Sequence, residues 1–255
     1  MKKFLTIILT FVLAFTAAIS LTACKDDEGD QLKLINIPLG DEQYAFAMKF
    51  DNVALETSFN EYLAEIKSNG TFDAIMAKYF EGEGEKVGYN YVGDGNGSNE
   101  EGSIGAGKFV VATNCPFSPF EYIENGKIYG VDMEIAAGYA DIGMAGMTVT
   151  EDRAGYRFTT KYFNASLNVI VAADNTDFDA CETQADVEAV LASLSGKKIG
   201  YQNGTTSVDY VAGFSNIEGK GYDSAALAAY DVINGNLYAV VVDNAPAAAI
   251  VASFN

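Results

Sequence analysis

The chain contains no histidine among its 255 residues. That excludes Ser-His-Asp and Cys-His nucleophilic mechanisms, and with them most zinc sites. Cysteine is scarce too, with Cys24, Cys115 and Cys181 the only three. Cys115 and Cys181 lie far apart and in no metal-ligand spacing, which leaves one disulfide or, as the expectation here, two free thiols. Positive charge is thin: 16 Lys and Arg stand against 35 Asp and Glu, for a formal charge of −19. Nucleic-acid binding needs basic residues gathered on one face, and the sequence has no basic cluster. After the first 20 residues no stretch is long and apolar enough to span a bilayer. General acid–base catalysis would need paired carboxylates in a cleft, and the sequence by itself pairs no two of its many acids. NGTTS at 203–207 lacks the lysine and glycine spacing of a P-loop. No cofactor is expected, and no enzyme.

What is present begins with a leader. MKK is followed by the apolar run FLTIILTFVLAFTAAIS and then by LTAC at 21–24. This resembles a bacterial lipoprotein signal, in which 1–23 are removed and Cys24 becomes the lipidated first residue. A plain secretory signal or an uncleaved anchor helix are the alternatives. The polar run after Cys24 makes 24–31 a tether. The implied place is the outer face of the cytoplasmic membrane.

Residues 58–82 read SFNEYLAEIKSNGTFDAIMAKYFEG. Phe59, Tyr62, Leu63 and Ile66 fall on one helical face. Asn69-Gly70 is a stop, because glycine tolerates the left-handed conformation of a C-cap. Phe72, Ile75, Met76, Tyr79 and Phe80 repeat the periodicity in a second helix. The glycine- and acid-rich stretch that follows reads as a flexible linker over 81–107. From 108 the chain alternates strands and helices, an α/β pattern with buried, parallel strands. Ligands in such sheets bind at the carboxyl ends of strands. ATNCPFSPF, AGMTVTEDR, YQNGTTS and VVVDNAP are the loops that fall there.

ATNCPFSPFEYIENGKIYGVDMEIA, DIGMAGMTVTEDR, GKKIGYQNGTTS and AVVVDNAP resemble successive motifs of one family. It is the extracellular solute-binding proteins of polar amino-acid ABC transporters. The resemblance implies a two-lobe, type II periplasmic-binding-protein-like α/β fold, with a free amino acid clamped between the lobes and presented to a membrane permease. Residues 58–80 resemble the helices that end that fold, and LINIPLGDEQYAFAMKFD before them resembles its return strand. The order is therefore expected to be circularly permuted, with 32–46 in lobe two, 47–80 in lobe one, 108–162 in lobe one and 163–255 in lobe two. Surface termini lying close together make such a rearrangement feasible. The family's second strand–helix unit is absent, since Tyr139-Ala140 runs directly into Asp141. Lobe one is then incomplete, and residues 130–140 barely provide a parallel crossover.

The site residues follow from the same resemblance. Arg153 in TVTEDR would fork onto the ligand carboxylate; a surface pairing with Glu151 or Asp152 is its other reading. Asp243 would take the ammonium, or else cap the following helix. Gly146 and Thr148 would make lobe-one backbone contacts, and Thr205 and Thr206 a lobe-two carboxylate clamp; NGTTS also reads as an ordinary helix start. Phe117 would pack on the ligand side chain, or in the core. Asn114 stands where the family often has aspartate, which favours a neutral polar ligand, and Gln202 would add a polar contact. A ligand-sensing or degenerate lipoprotein on the same fold is the alternative function.

Overall fold

The computed structural model describes residues 29–89, 111–137, 142–143 and 145–255. The leader, Cys24, most of the tether, Lys108–Val110 and the junction at Ala140-Asp141 lie outside the described residues.

One sheet has the order β1-β8-β11-β9-β10, built from β1 (Leu32–Tyr44), β8 (Phe163–Ala172), β9 (Lys198–Gln202), β10 (Glu218–Tyr222) and β11 (Ala239–Asp243). β8 and β11 are buried almost throughout, as their uninterrupted aliphatic runs require. Successive side chains point to opposite faces. Val169, Val171 and Val241 meet Val187 and Leu191 of α4 (Gln184–Ser193) and Val211 of α5 (Ser207–Ala212). Ile170, Val240 and Val242 meet Ala228, Ala229 and Val232 of α6 (Ala225–Ile233) and Ala247 of α7 (Asn244–Phe254). The strands are not all parallel, as the apolar runs alone suggested. β9 pairs β10 and β11 in parallel, but β8 runs antiparallel to both β1 and β11. At one end of this lobe Asn255 accepts from the Gln31 and Leu32 amides at 3.0 and 3.1 Å and donates to the Leu32 carbonyl at 2.9 Å.

The other lobe, lobe one, has a sheet of order β3-β6-β2-β7, with β2 (Ala47–Lys49), β3 (Val111–Ala112), β6 (Ile142–Gly143) and β7 (Tyr156–Phe158), and a hairpin of β4 (Tyr122–Glu124) and β5 (Lys127–Tyr129) turned at Asn125-Gly126. Both turn residues have positive φ, 50° and 72°, which asparagine and glycine tolerate best. α1 (Val53–Ser68), α2 (Thr71–Phe80) and α3 (Val131–Ala137) complete it. Asn52 caps α1 by accepting from the Leu55 amide, and Gly70 at φ 81° makes the break before α2. Phe59, Leu63, Ile66, Phe72, Ile75 and Tyr79 enter one core with Phe117, Phe120, Val131 and Ile135. Phe80, placed on the buried face by periodicity, is 42% exposed, and one side of its ring stacks on Phe163.

Two findings alter the sequence expectations. Residues 81–89 are not free linker: Tyr89 bridges Ile128, the Val87 amide donates to Glu134, and Lys86 lies over the Tyr79 and Tyr122 rings. The parallel pair β3–β6 does form. Its crossover is supplied by the loop, hairpin and α3 together, not by 130–140 alone.

The lobes meet at two crossings. β1 leads through Ala45-Phe46 into β2, and β7 returns through 159–162 into β8. The crossings are paired, with the Tyr162 amide on the Tyr44 carbonyl at 2.9 Å and the Thr159 amide on the Phe46 carbonyl at 3.0 Å.

Candidate functional site

Asp243 ends β11, carried to the sheet's carboxyl edge by four buried residues before it. It occupies the N-cap position of α7, yet its side chain makes no capping bond. Oδ2 accepts instead from the Tyr44 hydroxyl, and Oδ1 is buried with no hydrogen-bond partner among the described residues. Burial, then the Glu42 carboxylate, push its carboxyl up to about 7; the Tyr44 hydroxyl and Arg153 act in the opposite direction.

Arg153 closes a one-turn 3-10 helix, Glu151–Arg153, in the other lobe. Its Nη1 donates to the Thr148 carbonyl at 2.6 Å, and its Nη2 reaches the Gly204 carbonyl across the crevice at 3.3 Å. The guanidinium is thus turned to two carbonyls, one from each lobe. Residues 147–149 run along the first crossing, with Ala45 N on Met147 O at 3.0 Å and Val149 N on Gln43 O at 3.1 Å. This registers Thr148 opposite Tyr44, and the Thr148 hydroxyl donates to Glu42 at 3.2 Å.

Gly146 has φ 51°, and a Cβ there would stand 2.5 Å from the Phe117 ring. Its amide donates to Asp132 at 3.1 Å, so the N–H expected to face a ligand is engaged inside the lobe. Asp132 also accepts from the Tyr162 hydroxyl at 2.7 Å. Burial drives its carboxyl up to about 7 against those two donors. Glu121 beside it is fully buried with neither oxygen partnered among the described residues, and burial and Asp132 together push it well up. Phe117 is buried against Tyr44 and Phe120, the core role weighed for it.

In lobe two, Gln202 ends β9 with 2% exposure and an Oε1 unpartnered among the described residues. Gly204, at φ 77°, turns the loop, and the Thr205 hydroxyl donates back to the Gln202 carbonyl at 2.9 Å. Thr206 stands at the head of the six-residue α5 and makes no side-chain cap. Asn114 is exposed and makes no described contact with the other candidates. Cys115 and Cys181 are free thiols, and burial raises Cys115 to about 12.

The structure therefore brings Thr148, Arg153, Gly204, Thr205, Gln202 and Asp243 around one crevice, and sets Phe117 and Gly146 behind it. Sequence reasoning missed Glu42 and Tyr44. Their signal was an acid and an aromatic, DEQY at 41–44, placed where the chain changes lobes.

Two α/β lobes joined by paired crossings, with opposite charges brought to the crevice from different lobes, define a two-lobe periplasmic-binding-protein-like fold. By sequence the chain is similar to the extracellular solute-binding proteins of amino-acid ABC transporters. It is 27% identical over 173 residues to ABC transporter arginine-binding protein 1 of Escherichia coli K12, a match covering 56% of this chain and 66% of that one. The chain thus spans just under two thirds of that relative's length. Holo ArgBP from T. maritima is 26% identical over 57% of this chain and 73% of its own, with a TM-score of 0.49. The arginine-, lysine-, histidine-binding protein ArtJ from Geobacillus stearothermophilus is 27% identical over 57% and 71%, with a TM-score of 0.45. No protein-family model matches the chain.

Proposed function

We propose that this protein captures a free α-amino acid between its lobes and presents it to the permease of an ABC importer. The observation that carries the reading is the pairing of opposite charges from different lobes, Arg153 and Asp243, with Asp243 Oδ1 buried and lacking a donor. A buried polar atom without a partner is costly, and an ammonium supplies the missing donors. Arg153 holds the ligand carboxylate, helped by Thr148 from its own lobe and by Thr205 and Thr206 from the other. Ligand thereby favours the closed form, because only that form makes both sets of contacts. Nothing in this scheme requires bond chemistry.

The reading of a neutral polar ligand such as glutamine rests on the sequence alone, on Asn114 standing where the family often has aspartate. A second reading, a basic amino acid, is favoured by Glu42, a further carboxylate beside Asp243 and Thr148, and agrees with the arginine for which the Escherichia coli relative is named. Calorimetry with glutamine and arginine separates the two, since the true ligand binds at least tenfold more tightly. Binding of neither, nor of any other amino acid, would refute the amino-acid reading.

We read the chain order as a circular permutation. The packing of α2 against α3, of α1 against α2 and β7, and of Lys78 on Glu134 at 2.5 Å supports it, as does the stitching of Asn255 to Gln31 and Leu32. Lipidation at Cys24 would tether the protein by lobe two to the outer face of the membrane. Mass spectrometry of membrane-extracted protein tests this: a diacylglycerol-modified Cys24 at the amino terminus is expected, and an unmodified terminus contradicts it. Among the described residues no helix is long and apolar enough to cross a membrane.

A further inference from the structure

We infer that Tyr44 is a positioning residue for the ammonium site, its hydroxyl holding Asp243 from the strand on which the chain passes between lobes. The inference rests on the reading of Asp243 given above. Tyr44 is the last residue of β1, has no exposed surface, and lies at the crossing itself. Its carbonyl accepts from the second crossing at Tyr162, and its backbone bridges Thr148. Its ring is set among Phe117, Phe120, Tyr162 and Phe163, with centroids 5.1–6.4 Å away. The hydroxyl therefore has one place to go. It makes the one hydrogen bond found on the Asp243 side chain among the described residues, and it takes Oδ2. Asp243 forgoes the capping bond its position on α7 offers, and Oδ1 is left for a ligand. A change in the crossing geometry would move the tyrosine and release the carboxylate, so the ammonium site is tied to lobe angle through one bond.

The charged groups facing Asp243 are Glu42 on β1 and Arg153 on the opposite lobe, with Tyr44 between them. A hydroxyl donating to a carboxylate favours its ionised form, the form an ammonium requires. Tyr44 stays protonated, since burial and the neighbouring Asp243 raise it well above the usual range. Tyr44→Phe keeps the ring and removes the donor. Asp243 should then titrate at higher pH and be protonated more at neutrality.

The test is the 13C-carboxyl titration of Asp243 in unliganded wild type and Tyr44→Phe, with calorimetry of both against L-arginine, L-glutamine and their analogues lacking the α-amine. The expected result is an upward move of the Asp243 midpoint in Tyr44→Phe. Binding of the amino acid should weaken about tenfold at pH 7, a charge-assisted bond's worth, and the gap should narrow toward pH 8.5. Binding of the amine-free analogue should not change. An unmoved Asp243 midpoint overturns the inference, as does equal weakening of both ligands with no recovery at high pH, the pattern of a purely structural role. If wild type binds neither amino acid, the ligand reading above falls, and the carboxyl titration alone decides whether Tyr44 holds Asp243.

Discussion

Lobe two rests on strands of up to 13 residues, with apolar layers on both faces, whereas the described stretches of the lobe-one strands run to two or three residues. Lobe one takes its order from rings. Phe46 stacks on Tyr162 at 4.2 Å and meets Phe59 edge-on at 5.3 Å; Phe120 meets both Tyr44 and Phe163 edge-on. Such pairs add about 0.5–1.5 kcal/mol each beyond the area they bury. Lobe one also buries two carboxyls, Glu121 and Asp132, whereas the apolar clusters of lobe two are mainly aliphatic and its buried carboxyl, Asp243, stands at the crevice. The difference teaches how a lobe can be held by rings as well as by ladders. Aromatic side chains from α1, α2, the hairpin loop and the crossings converge on one cluster.

The largest expected effect is on that cluster. Phe59→Ala should cost about 3–5 kcal/mol, as large-to-small changes at fully buried aromatics do. Leu191→Ala in lobe two should cost about 2–5 kcal/mol. Hydrogen exchange separates the lobes: Phe59→Ala should expose the amides of α1 and α2 while β8 and β11 stay protected. Equal loss of protection in both lobes would remove the distinction.

Next comes Arg153→Ala, which takes away a charge-assisted bond worth about 1.5–3 kcal/mol, tenfold or more in ligand affinity. Calorimetry should show that loss with little change in the melting temperature of the unliganded protein, because Arg153 is bonded to two carbonyls near the surface.

The buried carboxyls set a pH dependence. Asp132 titrates near 7 in the folded chain, above its ordinary range, so the folded state holds its proton more tightly than the unfolded state does. That contribution is complete below the ordinary carboxylate range and is lost as pH rises through about 7. Urea melts should therefore give lower stability at pH 8 than at pH 5. Asp132→Asn should flatten the slope, and the slope that remains belongs to Glu121 and Asp243. A wild-type stability that rises over this interval would contradict the burial argument.

The smallest effect is Glu42→Gln. A partly exposed carboxylate contributes about 0.2–1 kcal/mol to pairing with a cation. Arginine should lose up to a fewfold in affinity relative to glutamine. An unchanged ratio would count against the basic-ligand reading.

Much of the fold was legible because periodicity reports burial. α1 and α2 follow from Phe59, Leu63, Ile66, Phe72 and Ile75, and β11 from an aliphatic run closed by an acid. Strand direction was not legible, because an apolar run is the same read either way; the antiparallel placement of β8 is set by the crossings, which are long-range pairings. The pinning of 81–89 was hidden by composition, since a polar segment can still lay a tyrosine on a hairpin and a lysine over rings. In the site, loop motifs pointed to Arg153, Thr148 and Asp243. Tyr44 was missed because its partner Asp243 lies 199 positions away. Gly146 was read as a contact with ligand, whereas its missing Cβ makes room for Phe117 and its amide goes to Asp132.

The central claim is that an amino acid is clamped between Arg153 and Asp243. Calorimetry of the wild-type protein against free amino acids, repeated with Asp243→Asn, tests it most directly. The account predicts saturable binding of one side-chain class by wild type, weakened at least tenfold in Asp243→Asn. Undiminished binding by Asp243→Asn, or no binding of any amino acid by wild type, would contradict it.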